Sequence, residues 1–324
     1  MRRRRSRNPA VSAGMAAAAI ALRADLVAAE VTEAFRGAGI RSILLRGPSI
    51  ARHLYGAGDS RSYEDTDLLV APVAMAAAEQ ILADHGFTHR AVLSQHPDDR
   101  PPWARTWKRA DGGNVDLHRT IVGVGATPDE TWKVLGDKVE PVDVAQASLE
   151  GLNAEATALV VALHAAHHGS EIRKPLDDLT RALEAFPYST WQAASTLADR
   201  LAATAAFATG LRLLPKGRGL ADHLRLPEDA SAEVLLRAGG APPMALGFEW
   251  LSHVPGVRAK VRLIAAKIVP DPDFMRAWSP AARRYGRPGL VLAYIWRPLW
   301  LAWHAPRALR AWAVAKRRAE HRLP

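Results

Sequence analysis

The chain has 324 residues, 48% of them apolar and 6% aromatic, with a formal net charge of +10 and no cysteine. That length and apolar content are enough to bury a large core, which excludes disorder as the state of the whole chain and predicts two domains. The lack of cysteine excludes disulfides, thiolate nucleophiles and cysteine-ligated zinc; it leaves carboxylates and histidines for metal or acid–base chemistry and fits a cytoplasmic location.

The positive charge calls for an anionic partner, whether nucleotide, nucleic acid or lipid headgroup, without choosing among them. Much of it lies at the ends, in Arg2 to Arg5 and in Arg307, Arg310, Lys316, Arg317, Arg318 and Arg322. Residues 1–14 therefore read as a basic flexible tail and 286–324 as a basic, Trp- and Arg-rich segment. Arg2 to Arg5 followed by Val11 to Leu22 imitates a signal peptide, but the stretch is weakly apolar and runs into Arg23, Asp25 and further helix formers. An N-terminal helix of the folded domain is the expectation.

Ala16 to Phe35 reads as that helix, stopped by Gly37 and Gly39. Ile40 to Leu45 reads as a short buried strand, Gly47 as a turn, Ser49 to Tyr55 as a helix, and Gly56 to Ser60 as a loop before a second strand, Asp65 to Val70. Met75 to His85 is a helix ended by Gly86. Strands are expected at Phe87 to Leu93, Trp103 to Arg109 and Asn114 to Leu117, with a polar loop at 94–100 and a turn at Asp111-Gly112-Gly113. After about Pro141 strand signals fade, and helical windows follow at Ala154 to His168, Leu176 to Phe186, Thr190 to Leu214 and Ala232 to Arg237. The fold class is thus α+β, a short mixed sheet with flanking helices at 15–145 followed by a mostly helical domain at 146–285.

On a strand, residues i and i+2 point the same way, so Asp65 and Asp67 project from one face while Leu68 to Val70 anchor the strand. Two carboxylates so close repel in a dry site, and divalent cations relieve the repulsion; Mg²⁺ takes one or two carboxylates plus substrate phosphates. Asp116, on a separate strand, reaches the same face if the two strands are neighbours, and the three carboxylates then suit a two-metal site built from Mg²⁺ or Mn²⁺. Upstream, a strand ending at Gly47 before a helix lets backbone N–H groups approach phosphate, with the helix start near Ser49 and the cations Arg46 and Arg61 placed for a triphosphate.

This ordered set is the pattern of the DNA polymerase beta-like nucleotidyltransferases. Within them Leu44-Leu45-Arg46-Gly47, Leu54-Tyr55, Arg61 to Val70, Gly86-Phe87 and Asp116-Leu117-His118 resemble the family known as uncharacterised nucleotidyltransferases, and His164, His168, Lys174, Asp178 and Tyr294 to Pro298 look like its later landmarks. The resemblance covers roughly residues 20 to 310. It implies metal-dependent transfer of a nucleoside monophosphate from a nucleoside triphosphate such as ATP, with pyrophosphate released. Two positions depart from it, for the family usually has lysine at Arg46 and a small residue at Glu64; the first changes hydrogen-bond geometry and the second adds a negative group near the metals.

His118 follows Asp116 by two and shares its side of the strand, as an orienting, capping or substrate-touching group. His164 and His168 share one helix face at metal-ligand spacing, but with no third strong ligand nearby in sequence they are expected, with Lys174, to touch substrate or pack on the catalytic domain. Six of the ten tryptophans fall at Trp250, Trp278, Trp296, Trp300, Trp303 and Trp312. Gly289 to Trp303 is too short for a membrane span, so a packing surface is favoured over peripheral membrane contact. No RNA-binding signature accompanies the interleaved Arg and Trp, so nucleic acid is not the expected partner. The rival readings are a non-catalytic basic peripheral membrane or assembly protein that keeps the fold, and an enzyme whose acceptor is a protein side chain rather than a small molecule.

Overall fold

The computed structural model describes residues 9–56, 59, 61–89, 103–228 and 231–320. The tail residues 1–8, the expected strand end at 90–93, the polar loop 94–100 and Arg322 lie outside the described residues. The first half runs α1 (Pro9–Gly37), β1 (Ser42–Leu44), α2 (Pro48–Leu54), β2 (Thr66–Val70), α3 (Met75–Asp84), β3 (Thr88–His89), β4 (Ala104–Lys108), β5 (Asn114–His118), α4 (Pro128–Gly136), β6 (Val139–Val144) and β7 (Ala147–Leu152). The seven strands form one mixed sheet in the order β3-β4-β5-β2-β1-β7-β6. At its centre β2 runs parallel to β5 and antiparallel to β1, and β1 runs parallel to β7.

Three stretches differ from expectation. Strand structure does not fade at Pro141: β6 and β7 form an antiparallel hairpin that extends the sheet to Leu152. Its turn residues Ala145 and Gln146 have φ of 48° and 69°, a geometry for which Asn-Gly is the usual signal, so the sequence carries no obvious turn mark. The helix α4 was also unexpected, although Thr127 caps it by accepting the Glu130 N–H at 3.2 Å and Pro128, Asp129 and Glu130 fill its first turn. Finally, α1 begins at Pro9, inside the stretch read as tail.

The second half is helical: α5 (Ala154–His168), α6 (Arg173–Ala185), α7 (Tyr188–Arg200), α8 (Thr204–Arg212), α9 (Pro215–His223), α10 (Ala232–Ala238), α11 (Pro243–His253), α12 (Val257–Ile268), α13 (Pro272–Trp278), α14 (Pro280–Arg284) and α15 (Gly286–Glu320). The window Thr190 to Leu214 is two helices, broken at Ala202, whose φ is 50°.

Alternation along the central strands sorts side chains between two cores. Leu68, Val70, Val115 and Leu117 join Val27, Val31 and Phe35 of α1 and Leu82 of α3 on one face. Ile43 and Leu69 join Leu159 and Leu163 of α5 on the other. Each such buried side chain contributes roughly 1.5–3 kcal/mol, so the two cores fix the orientation of the strands firmly. The register therefore leaves Asp67 and Asp116 on the face turned toward α5. The tryptophans of the C-terminal helices divide: Trp278 packs on Trp300 at 5.6 Å and Trp312 donates to Glu249 at 2.7 Å, whereas Trp296 and Trp303 are exposed.

Candidate active site

Asp67 and Asp116 are cross-strand partners in the parallel β2–β5 pair, and His118 follows on the same face of β5. Ligand atoms of Asp67, Asp116 and His118 lie within 4.8 Å of one another. Together with Asp65 they line a cavity of about 340 Å³ between the sheet and the end of α5, walled by Arg46, Arg61, Trp103, Ile121, Val160, Leu163, His164, His167, His168 and Lys174. The carboxylates and Arg46 lie on the sheet side, Lys174 faces them from α6, and Trp103, Ile121, Val160 and Leu163 give the wall an apolar portion.

The carboxylates are held differently. Asp67 is buried, and its Oδ1 accepts from the Arg46 guanidinium and from His118 Nε2, the latter at 3.0 Å. Burial opposes its charge, but the Arg46 guanidinium and His118 outweigh that and hold the carboxyl well below the usual range. Asp65 is pushed the other way, first by burial and then by repulsion from Asp67. Asp116 accepts at Oδ1 from the Thr106 hydroxyl at 2.7 Å, its antiparallel neighbour on β4.

The donor set fits a hard divalent cation. Among the described residues, the second oxygens of Asp67 and Asp116 take no hydrogen bond and remain available as ligands. Asp65 lines the cavity but stands outside the tight Asp67, Asp116 and His118 set.

Of the residues expected at the phosphates, Arg46 is in the cavity and Gly47 and Ser49 are not on its lining. Gly47 precedes α2 with φ of 63°, and a Cβ there would lie 3.4 Å from the Tyr63 ring, so the turn needs glycine. Ser49 is fully buried and its Oγ accepts the Leu152 N–H at 3.0 Å, fastening α2 to β7. Arg61 reaches the cavity, but its Nε and Nη2 donate to both oxygens of Asp178 on α6, at 3.0, 3.1 and 2.7 Å, and Tyr55 donates to the same carboxylate at 2.8 Å. Glu64 is exposed and does not line the cavity.

His164, His167 and His168 form a row on the last turns of α5, with ring centroids 4.6 and 4.8 Å apart along it. Burial lowers all three, and nearby Arg237 and Arg46 add to it, bringing His167 to about 3. They are neutral walls rather than charges. Among the described residues, the buried Nδ1 of His164 has no hydrogen-bond partner. Lys174, at the start of α6, is the cation opposite Asp65; burial and then Arg61 lower it while Asp65 and Asp178 draw it upward. Sequence reasoning missed Thr106 and Trp103; the latter's ring lies 5.3 Å from that of His118.

The sequence profile described as uncharacterised nucleotidyltransferase matches residues 12–216. The chain belongs to that family. The matched stretch holds every cavity residue named above, and the expected landmark at Tyr294 to Pro298 lies beyond it. No curated protein matches the chain. Among solved structures, lincosamide antibiotic adenylyltransferase LnuA with lincomycin bound shares 14% identity over 48% of this chain and 94% of that one, at a TM-score of 0.34. The antibiotic-resistance factor ANT(2'')-Ia shares 11% identity over 55% of this chain and 93% of that one, at a TM-score of 0.40. At those scores the likenesses say nothing about substrate.

Proposed function

We propose that the protein transfers a nucleoside monophosphate from a nucleoside triphosphate to an acceptor hydroxyl, with release of pyrophosphate. The observation that carries the reading is the side-by-side pairing of Asp67 and Asp116 on the cavity face of parallel strands, in a chain of nucleotidyltransferase family. Asp67 and Asp116, with Asp65 beside them, would hold Mg²⁺ or Mn²⁺. Such ions, when bound, supply charge neutralisation for the phosphates and a lower pKa for the attacking hydroxyl. The acceptor oxygen bonds to the α-phosphorus, the bond from that phosphorus to the pyrophosphate oxygen breaks, and the hydroxyl proton passes to a carboxylate oxygen of Asp116. Thr106 fixes the orientation of that carboxylate. Arg46 and Lys174 face the triphosphate charge, while Arg61 acts through Asp178 to seat α6 and Lys174 at the cavity. The apolar wall of Trp103, Ile121, Val160 and Leu163 suits a planar or apolar portion of nucleotide or acceptor.

The test is incubation of purified protein with each labelled nucleoside triphosphate, Mg²⁺ or Mn²⁺, and a lysate, alongside Asp67→Asn and Asp116→Asn. Transfer of label by the native chain and its loss in both variants is the expected result. Equal labelling by the variants would remove the metal assignment.

A further inference from the structure

The last helix carries large apolar residues on both its packed and its exposed face. On its inward face Gly289, Ala293, Ala308 and Ala315 are buried, Leu290, Tyr294, Trp300 and Trp312 pack against the neighbouring helices, and Arg297 donates through Nε to the Lys267 carbonyl at 3.0 Å and lies over the rings of Phe274 and Trp278. Its outward face carries a second set of large apolar residues. Val291, Leu292, Ile295, Trp296, Leu299 and Trp303 recur every three or four positions and are all exposed, Trp303 at 83%. At 3.6 residues per turn these positions form one continuous stripe. The neighbouring α12 repeats the plan: Val257, Val261 and Ile264 form an exposed stripe with Arg258 and Arg262 along one side and Lys260 along the other. A monomer in water gains nothing from apolar side chains arranged this way, and stripes of this extent mark an interaction surface.

Charge selects the occupant. Residues 257–320 contain fourteen lysines and arginines against three acids, and Arg307, Arg310, Arg317 and Arg318 continue α15 past the apolar stripe as exposed cations. A second copy of the same face would bring like charges together, and a nucleic acid would leave the aliphatic residues in water. An anionic bilayer surface meets both needs, taking the aliphatic and tryptophan side chains at the headgroup boundary and the guanidinium groups at the phosphates. No described helix is long and apolar enough to cross a membrane, which agrees with a helix lying on the surface. We propose that the outward faces of α12 and α15 dock the protein on anionic lipid headgroups. This surface lies outside the family-matched stretch and goes beyond nucleotidyl transfer.

The experiment is co-sedimentation of the full chain with vesicles of phosphatidylcholine alone and of phosphatidylcholine with phosphatidylserine, at low and high salt. The chain is expected to pellet with the phosphatidylserine vesicles and to be released by salt. The exposed-residue variant Trp296→Ser/Leu299→Ser/Trp303→Ser should bind at least about tenfold more weakly, with unchanged melting temperature and nucleotide transfer in solution. A second variant, Arg307→Glu/Arg310→Glu/Arg317→Glu, should lose binding through charge alone. The proposal is overturned if the native chain stays in the supernatant, if both variants sediment as the native chain does, or if sedimentation velocity shows the serine variant converting a dimer to a monomer while vesicles bind neither.

Discussion

Replacing Asp178 by alanine tests whether Arg61 is a structural pin between the sheet domain and α6. The Arg61 and Asp178 side chains are 3% and 1% exposed, and the guanidinium forms three hydrogen bonds to that one carboxylate. Removing the carboxylate leaves a buried, uncompensated guanidinium, which costs about 3–5 kcal/mol. It also strips the Tyr55 hydroxyl of its acceptor, at roughly 1 kcal/mol more. For a chain of this size that corresponds to a fall in Tm of roughly 6 °C or more. Urea and thermal melts followed by circular dichroism, on Asp178→Ala, Arg61→Met and the double variant, measure it. The double variant is expected to be more stable than Asp178→Ala, because no bare charge remains. A loss below about 1 kcal/mol for Asp178→Ala, the worth of a surface pair, or simple additivity across the cycle, would refute the pin and return Arg61 to a role in phosphate binding alone.

Thr106→Val removes the donor to Asp116 without changing side-chain shape, so kcat should fall about tenfold to a hundredfold at nearly unchanged Tm. His167 has its pKa lowered to about 3 from an ordinary 6.5 by burial and then Arg237, so the unfolded chain takes up a proton that the folded one refuses. Its stability contribution is therefore complete above about pH 6.5 and lost as pH falls toward 3, at about 1.4 kcal/mol per unit; pH-dependent melts of His167→Gln should show a shallower acid loss than the native chain. Asp65→Asn should raise the Tm of the metal-free protein, because it removes a half-buried carboxylate repelled by Asp67, while abolishing nucleotide transfer; a lower Tm in chelator would contradict the charge argument.

The parts of the site that sequence made legible are those written in local periodicity. Period-two alternation put Asp65 and Asp67 on one strand face, and the apolar run Leu68 to Val70 marked the strand as anchored in the domain, where all three residues are buried. That Asp116 would stand beside Asp67 required only that two strands be neighbours, which the register confirms. What was hidden depends on partners far along the chain. Ser49 meets a backbone N–H 103 residues away and Arg61 meets a carboxylate 117 residues away, so neither could be moved from the phosphate role on local evidence. Thr106 was invisible because a threonine opposite an aspartate is set by strand register, and the β6–β7 hairpin because Ala145-Gln146 gives no turn signal.

The three aspartates of the site are not electrically equivalent, and the difference follows from where the cations enter. Arg46 follows the end of β1 and His118 ends β5, the two strands flanking β2, so both can converge on the residue between them, Asp67. Asp65 sits just before β2 begins, facing Lys174 from α6 across the cavity and, among the described residues, without a hydrogen-bonded partner. Asp67 is therefore ionised and fixed without any ion, while Asp65 carries the repulsion. A divalent cation held as proposed would relieve the repulsion that Asp65 bears from Asp67. Removing Asp67 should disorder Arg46 and His118 together with the proposed metal site, whereas removing Asp65 should leave that arrangement standing and remove only the charge repelled by Asp67.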